Sequence, residues 1–168
     1  MSFFYSISDD DDPRRAERRP MLVFILVTLA VGAASSVFSE PGLRDWYTTL
    51  ARPAFSPPNW IFAWVWTALY IMMAVAAFRV WRVTGTRSTE MAVYAAQLLF
   101  NLGWSWIFFG LHRTGAAFAE VLVLDAAVLL NTVLFFRRDR LAGVLFLPYL
   151  GWSFFVSFLA DALWRLNS

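Results

Sequence analysis

Residues 53–70, PAFSPPNWIFAWVWTALY, decide the fold. Pro53, Pro57 and Pro58 lack a backbone N–H and bias the residue before each away from the helical region. The chain is therefore expected to run extended to about Asn59 and only then to wind into an apolar helix. Trp60, Trp64 and Trp66 add large flat rings to the first turns of that helix, each with one N–H donor that needs a partner away from water. A stiff entrance beside aromatic walls with a few donors suits a flat, mostly apolar ligand.

The composition around this stretch sets the solvent. At 168 residues and 60% apolar, with a mean hydropathy of +0.57, the chain is too apolar for a water-soluble domain. Five runs, at 21–38, 59–78, 91–111, 114–136 and 141–163, approach or exceed the ~20 apolar residues that cross a bilayer core. Hydrocarbon offers no hydrogen bonds to free backbone groups, so the runs are expected to be helices, and they lack the alternation of membrane strands. The expected fold is an all-α membrane protein, a five-helix transmembrane bundle over 21–168 behind a polar tail at 1–20. A cleaved leader is disfavoured, because the first run is long enough to remain as a span and the leader would be unusually long.

Charge gives an orientation. The tail holds an acidic run at 9–12 and then Arg14, Arg15, Arg18 and Arg19; a solvated tail whose arginines meet lipid headgroups is the plain reading. Ten arginines fall in the tail and the 79–87 and 137–140 loops. Four, Arg44, Arg52, Arg113 and Arg165, fall on the other side. The positive-inside rule puts the N-terminus inside. Cysteine is absent, which excludes disulfides, thiolate nucleophiles and Cys-ligated metals; lysine is absent too, which excludes a Schiff-base cofactor. No hydrolase, kinase or dinucleotide motif occurs, no metal site is expected, and no nucleic-acid partner is expected.

The remaining candidates come from helical spacing. Phe62, Trp66 and Tyr70 recur at four-residue steps and share a face of the second span. Gln97, Asn101, Trp104, Ser105 and Phe108 put two amides and a hydroxyl among aromatics on one face of the third, and Tyr149, Trp152 and Phe155 follow a kink expected at Pro148. Helix packing alone would account for any single aromatic, whereas an amide in hydrocarbon requires a specific partner. Glu120 and Asp125 lie about 140° apart around the fourth span, which disfavours a paired-carboxylate mechanism and leaves each as a separate candidate. His112, in the turn after the third span, reads as a surface group rather than a haem ligand. The 39–58 connection carries a Pro41-Gly42 turn signal and is expected to fold over one mouth of the bundle. Gly32 and Ser36, four apart on the first span, would allow close approach of a second copy.

Taken together, WYTTLARPAFSPPNWIFAWVWTALY at 46–70, YAAQLLFNLGWSWIFFG at 94–110, LPYLGW at 147–152 and WRLN at 164–167 resemble the tryptophan-rich sensory protein family, which includes the mitochondrial translocator protein once called the peripheral benzodiazepine receptor. The resemblance covers about 31–167. It implies a five-helix bundle, often a homodimer, in a bacterial cell membrane. The implied function is a receptor or sensor that binds porphyrins or haem as ligand, with no obligatory cofactor, and sterols or lipids in some members. It assigns Phe62, Trp66, Tyr70, Asn101, Trp104 and Trp152 to the ligand pocket. Trp66 and Trp152 match tryptophans tied in some bacterial members to light-dependent porphyrin breakdown, so a porphyrin-degrading enzyme is one alternative and a porphyrin or sterol transporter another. The sterol motif of animal members needs a tyrosine shortly before the last arginine, where this chain has Phe158, Asp161 and Ala162 ahead of Arg165.

Overall fold

The computed structural model describes residues 13–168, with side-chain surroundings from Arg18 onward; the acidic run at 9–12 lies outside them. Helix α1 (Pro13–Pro41) continues into a π-helical turn, Gly42–Trp46, and a 3-10 turn, Tyr47–Thr49. Then come α2 (Asn59–Thr84), α3 (Thr89–Ser105) with a π-helical end at Trp106–Gly110, α4 (Thr114–Arg138) and α5 (Arg140–Leu166). Among the described residues there is no strand, and all five helices are long and apolar enough to cross a membrane. One end of the bundle holds the start of α1 and the α2–α3 and α4–α5 turns; we call it the tail end. The other, the mouth end, holds the first connection, the α3–α4 turn and the C-terminus.

Local chemistry fixes the helix limits. Pro58 has the extended dihedrals φ −58°, ψ 141°, and α2 starts at Asn59 as the prolines require. Gly85, at φ 76°, ends α2 in a region a side chain avoids, and its N–H bonds the Trp81 carbonyl at 2.8 Å. Ser88 caps α3 by accepting from the Met91 N–H at 3.3 Å, and Asp139 caps α5 by accepting from the Ala142 N–H at 3.0 Å. α5 runs unbroken through Pro148.

One expectation changes. The 39–58 connection is mostly helical: the 41–42 turn signal is absorbed into a π turn in which the Tyr47 N–H reaches back to the Gly42 carbonyl, leaving only residues 50–58 irregular. Gly32 is buried: a Cβ on it would lie 2.6 Å from the Tyr70 ring, so its small size serves α1–α2 packing, whereas Ser36, one turn on, is exposed and bonds the Gly32 carbonyl of its own helix at 3.0 Å.

Lipid tails are as apolar as a leucine, so helices in a bilayer associate through close packing and polar contacts rather than escape from water. The tail end uses both. Met73, Ala74, Ala76, Ala77 and Val80 on α2 are fully buried, as are Phe135, Ala142 and Phe146 on α4 and α5. Arg138 of α4 bonds the buried Glu90 of α3 at 2.6 Å, and Arg79 of α2 bonds Asp139 at 2.7 Å, clipping the helix ends together.

Candidate functional site

At the mouth end the helices part around a cavity of about 610 Å³. The i, i+4, i+8 stripe on α2 brings Phe62, Trp66 and Tyr70 to it, and the matching face of α3 brings Asn101, Trp104 and Phe108. Rings keep the space open by propping one another. Trp104 stacks on Phe108 with centroids 5.1 Å apart and planes 8° apart, and Trp66 lies 5.6 Å from Tyr70 and edge-on to Tyr149 at 6.1 Å. α1 supplies the thin wall, where Gly32 and Ser36 leave room that larger side chains would fill. Leu43 and Tyr47, on the helical turns after α1, close the top.

The polar floor is a directed relay. The Tyr70 hydroxyl donates to Asn101 Oδ1 at 2.5 Å, Asn101 Nδ2 donates to the Tyr149 hydroxyl at 3.3 Å, and Tyr149 donates to Gln97 Oε1 at 3.0 Å. Each hydroxyl has one proton to give, so the relay fixes which atom of each amide faces which neighbour. These are the specific partners that amides in hydrocarbon require. The lining also holds buried polar atoms without a hydrogen-bond partner, among them the Trp104 indole N–H, a donor, and Asn59 Oδ1, an acceptor.

Five of the six residues assigned to the pocket line it: Phe62, Trp66, Tyr70, Asn101 and Trp104. Trp152 does not. Its ring stands edge-on behind Phe62 at 5.7 Å and beside Phe155 at 5.1 Å, one layer back from the cavity. Trp60 and Trp64 also depart from the expectation of an aromatic mouth. They are 66% and 74% exposed on the opposite face of α2, because two residues turn a helix by about 200° and only the Trp66 register points inward. Neither acid lines the cavity. Asp125 accepts hydrogen bonds from Ser153 and Ser157 of α5, and Glu120 faces Gly103 of α3, with both carboxylate oxygens buried and unpaired. His112 is exposed and stacks on Trp46 at 4.5 Å.

Sequence reasoning missed the α1 wall and the Tyr47 cover. The signal was present in the small-residue run at 32–36, but nothing in one helix says which neighbour it faces. A second unforeseen contact lies just past the Tyr47 cover. Asn167 accepts from the Ala51 N–H at 2.9 Å and donates from Nδ2 to the Ala51 carbonyl at 3.0 Å and the Leu163 carbonyl at 2.8 Å, pinning the irregular segment to the end of α5.

Comparison with known proteins agrees with this architecture. The pattern of the TspO/MBR family matches residues 24–165. The chain is 36% identical over 149 residues to the tryptophan-rich protein TspO of Archaeoglobus fulgidus, covering 88% of this chain and 97% of that protein. It is 39% identical over 145 residues to the tryptophan-rich sensory protein of Cereibacter sphaeroides, covering 86% and 91%. With the human translocator protein it shares 37% identity over 154 residues, covering 88% and 90%. A match over nearly the whole helical body, at this identity and with this coverage on both sides, makes the chain a multi-pass membrane protein of the TspO/MBR family.

Proposed function

We propose that the mouth-end cavity is a receptor site for a flat tetrapyrrole, a porphyrin or haem. The observation that carries the reading is the cavity itself. At about 610 Å³ it lies within the usual range of small-molecule sites, and Trp66, Tyr70, Trp104 and Phe108 offer ring faces to a planar guest. The unpaired Trp104 N–H and Asn59 Oδ1 are a donor and an acceptor that the polar edge of such a guest can satisfy. The lining holds no histidine or methionine, so a haem guest would take its axial ligand from a tyrosine, Tyr47 or Tyr70. Family membership supports a membrane sensor or receptor of the TspO type.

Titration of the purified full chain with protoporphyrin tests the reading. Tryptophan fluorescence is expected to quench saturably, and a Trp66→Phe, Trp104→Phe double variant to bind more weakly and quench less. Unchanged affinity in that variant would overturn it.

Light-driven breakdown of the bound porphyrin is a second reading, favoured by Trp66 standing at the cavity wall, where an indole can donate an electron to an excited ring. Trp152, one layer back, would act only through Phe62. Under illumination the porphyrin absorption is expected to decay more slowly in Trp66→Phe than in Trp152→Phe; equal decay in both and in the parent removes this reading. Proton-coupled transport draws less support, since both Glu120 and Asp125 lie outside the lining.

A further inference from the structure

A second recess lies outside the cavity and on another face of the bundle. It is a groove of about 380 Å³ between α4 and α5, walled by Phe118 and Leu122 on one helix and by Phe154 and Phe158 on the other. Leu122, Phe154 and Phe158 are exposed on the outside of the bundle, so the groove opens toward lipid. Asp125 lies deep in the groove, eleven residues or about 16 Å along α4 from its start. Asp161 and Arg165 lie toward the mouth end of the bundle and are already paired, through Arg165 Nε, at 2.9 Å.

The charges do not cancel. With Asp161 neutralised by Arg165, the Asp125 carboxylate remains, only 6% exposed in an apolar setting. It has two hydroxyl donors, from Ser153 and from Ser157 at 2.5 Å. Two dipoles leave further lone pairs open and supply no positive charge, and a carboxylate at this depth in hydrocarbon is costly without one. The walls, meanwhile, suit a body of rings or methylenes.

We propose that this groove binds a lipophilic amine from the bilayer, its ammonium on Asp125 and its apolar body between the phenylalanines. The ammonium supplies the missing charge and the N–H donors together, and the body replaces lipid on the ring faces. A neutral alcohol of the same length brings a donor but no charge, so it gains less from the acid.

The test uses the full chain in phosphatidylcholine nanodiscs, with tritiated dodecylamine as probe, tritiated dodecanol as its neutral match and empty nanodiscs as background. Saturable amine binding is expected, weakened roughly tenfold or more by Asp125→Asn. Leu122→Trp, which fills the groove and keeps the acid with both serines, is expected to abolish it; this variant decides the matter if Asp125→Asn does not fold. Dodecanol is expected to show no loss on Asp125→Asn, and saturating protoporphyrin to leave amine binding in place. Amine binding that is not weakened by Asp125→Asn, or that persists in Leu122→Trp, overturns the proposal. So does an equal response of amine and alcohol, which would mark a groove for neutral lipid, and so does displacement by protoporphyrin, which would put the amine in the mouth-end cavity.

Discussion

On α2, Met73, Ala76, Ala77 and Val80 are fully buried toward the tail end, whereas Phe62 and Trp66, a few turns earlier on the same helix, border open space. The tail half uses alanines to bring backbones close, fills the seams with Phe135 and Phe146, and ties the helix ends with ion pairs. The mouth half uses aromatics that stack on each other and hold the helices apart, over a relay of hydroxyls and amides. Rigidity in one half makes vacancy in the other tolerable: a cavity survives only where the surrounding helices cannot slide to fill it.

Matched truncations put the largest test on this contrast. Phe146→Ala empties volume in the closed half and is expected to destabilise the chain by about 3–5 kcal/mol, while Phe62→Ala enlarges an existing cavity and is expected to cost much less, on the order of 1 kcal/mol. Detergent-based thermal unfolding checks both. Equal costs would mean that the two halves are not mechanically distinct. Phe62→Ala should still weaken porphyrin binding, since it removes part of the α2 wall and uncovers Trp152.

Asn101 comes next, because it sits where the halves meet. Replacing it with leucine strips the acceptor from the Tyr70 hydroxyl and the donor from Tyr149, two buried groups whose lost partners are each worth about 1–3 kcal/mol. A loss of about 2–3 kcal/mol is expected, with weaker ligand binding. If stability falls while binding holds, the relay is scaffold alone.

How far this contrast could be read from the chain differs from residue to residue. The start of α2 at Asn59 was legible, because proline acts on its own neighbours and no tertiary contact can restore a missing N–H. The inward face of α3 was legible too, since Asn101 and Trp104 share a helical register. Trp152 falls on the register of Tyr149 and Phe155, but whether that face meets the cavity or the back of Phe62 depends on how α5 is rotated against α2, which no single-helix pattern contains. Pro41 and Gly42 read as a break because turn signals are local, yet a π turn carries the helix past them. Trp60 and Trp64 were separable from Trp66 by period alone; composition drew attention to all three, and helical phase keeps one.

The Asn167 clamp gives a smaller effect with a sharper readout. Asn167→Ala removes three hydrogen bonds at an exposed site, so the equilibrium cost is expected to be about 1 kcal/mol. Its larger consequence is kinetic: with Ala51 released, the irregular segment that follows the Tyr47 cover should loosen, and bound porphyrin should dissociate faster in stopped-flow exchange. Asn167→Asp keeps an acceptor for the Ala51 N–H but loses the donor to its carbonyl, and should fall between the two. Dissociation rates that ignore both substitutions would show that the mouth is governed elsewhere.

The smallest effect belongs to the tail end and to acid. Asp139, in the turn between α4 and α5, is raised by burial, but hydrogen bonds from the Ala142 N–H and from Arg79, together with the Arg79 charge, more than offset that and hold its carboxyl below the usual range. A carboxyl whose folded pKa is depressed contributes stability that is present in full above its unfolded pKa and is lost as pH falls through the folded one. The clip between α2 and α5 should therefore weaken only in acid below the ordinary aspartate range. Because Arg79 is partly exposed, the change is expected to be on the order of 0.5 kcal/mol. Asp139→Asn keeps a side-chain oxygen to cap α5 but removes the charge, so its thermal midpoint should sit slightly lower at neutral pH and fall less steeply on acidification. If the parent and the variant lose stability in parallel as pH drops, the closed half is held by its packed alanines and phenylalanines alone, and the ion pair only marks where the helices end.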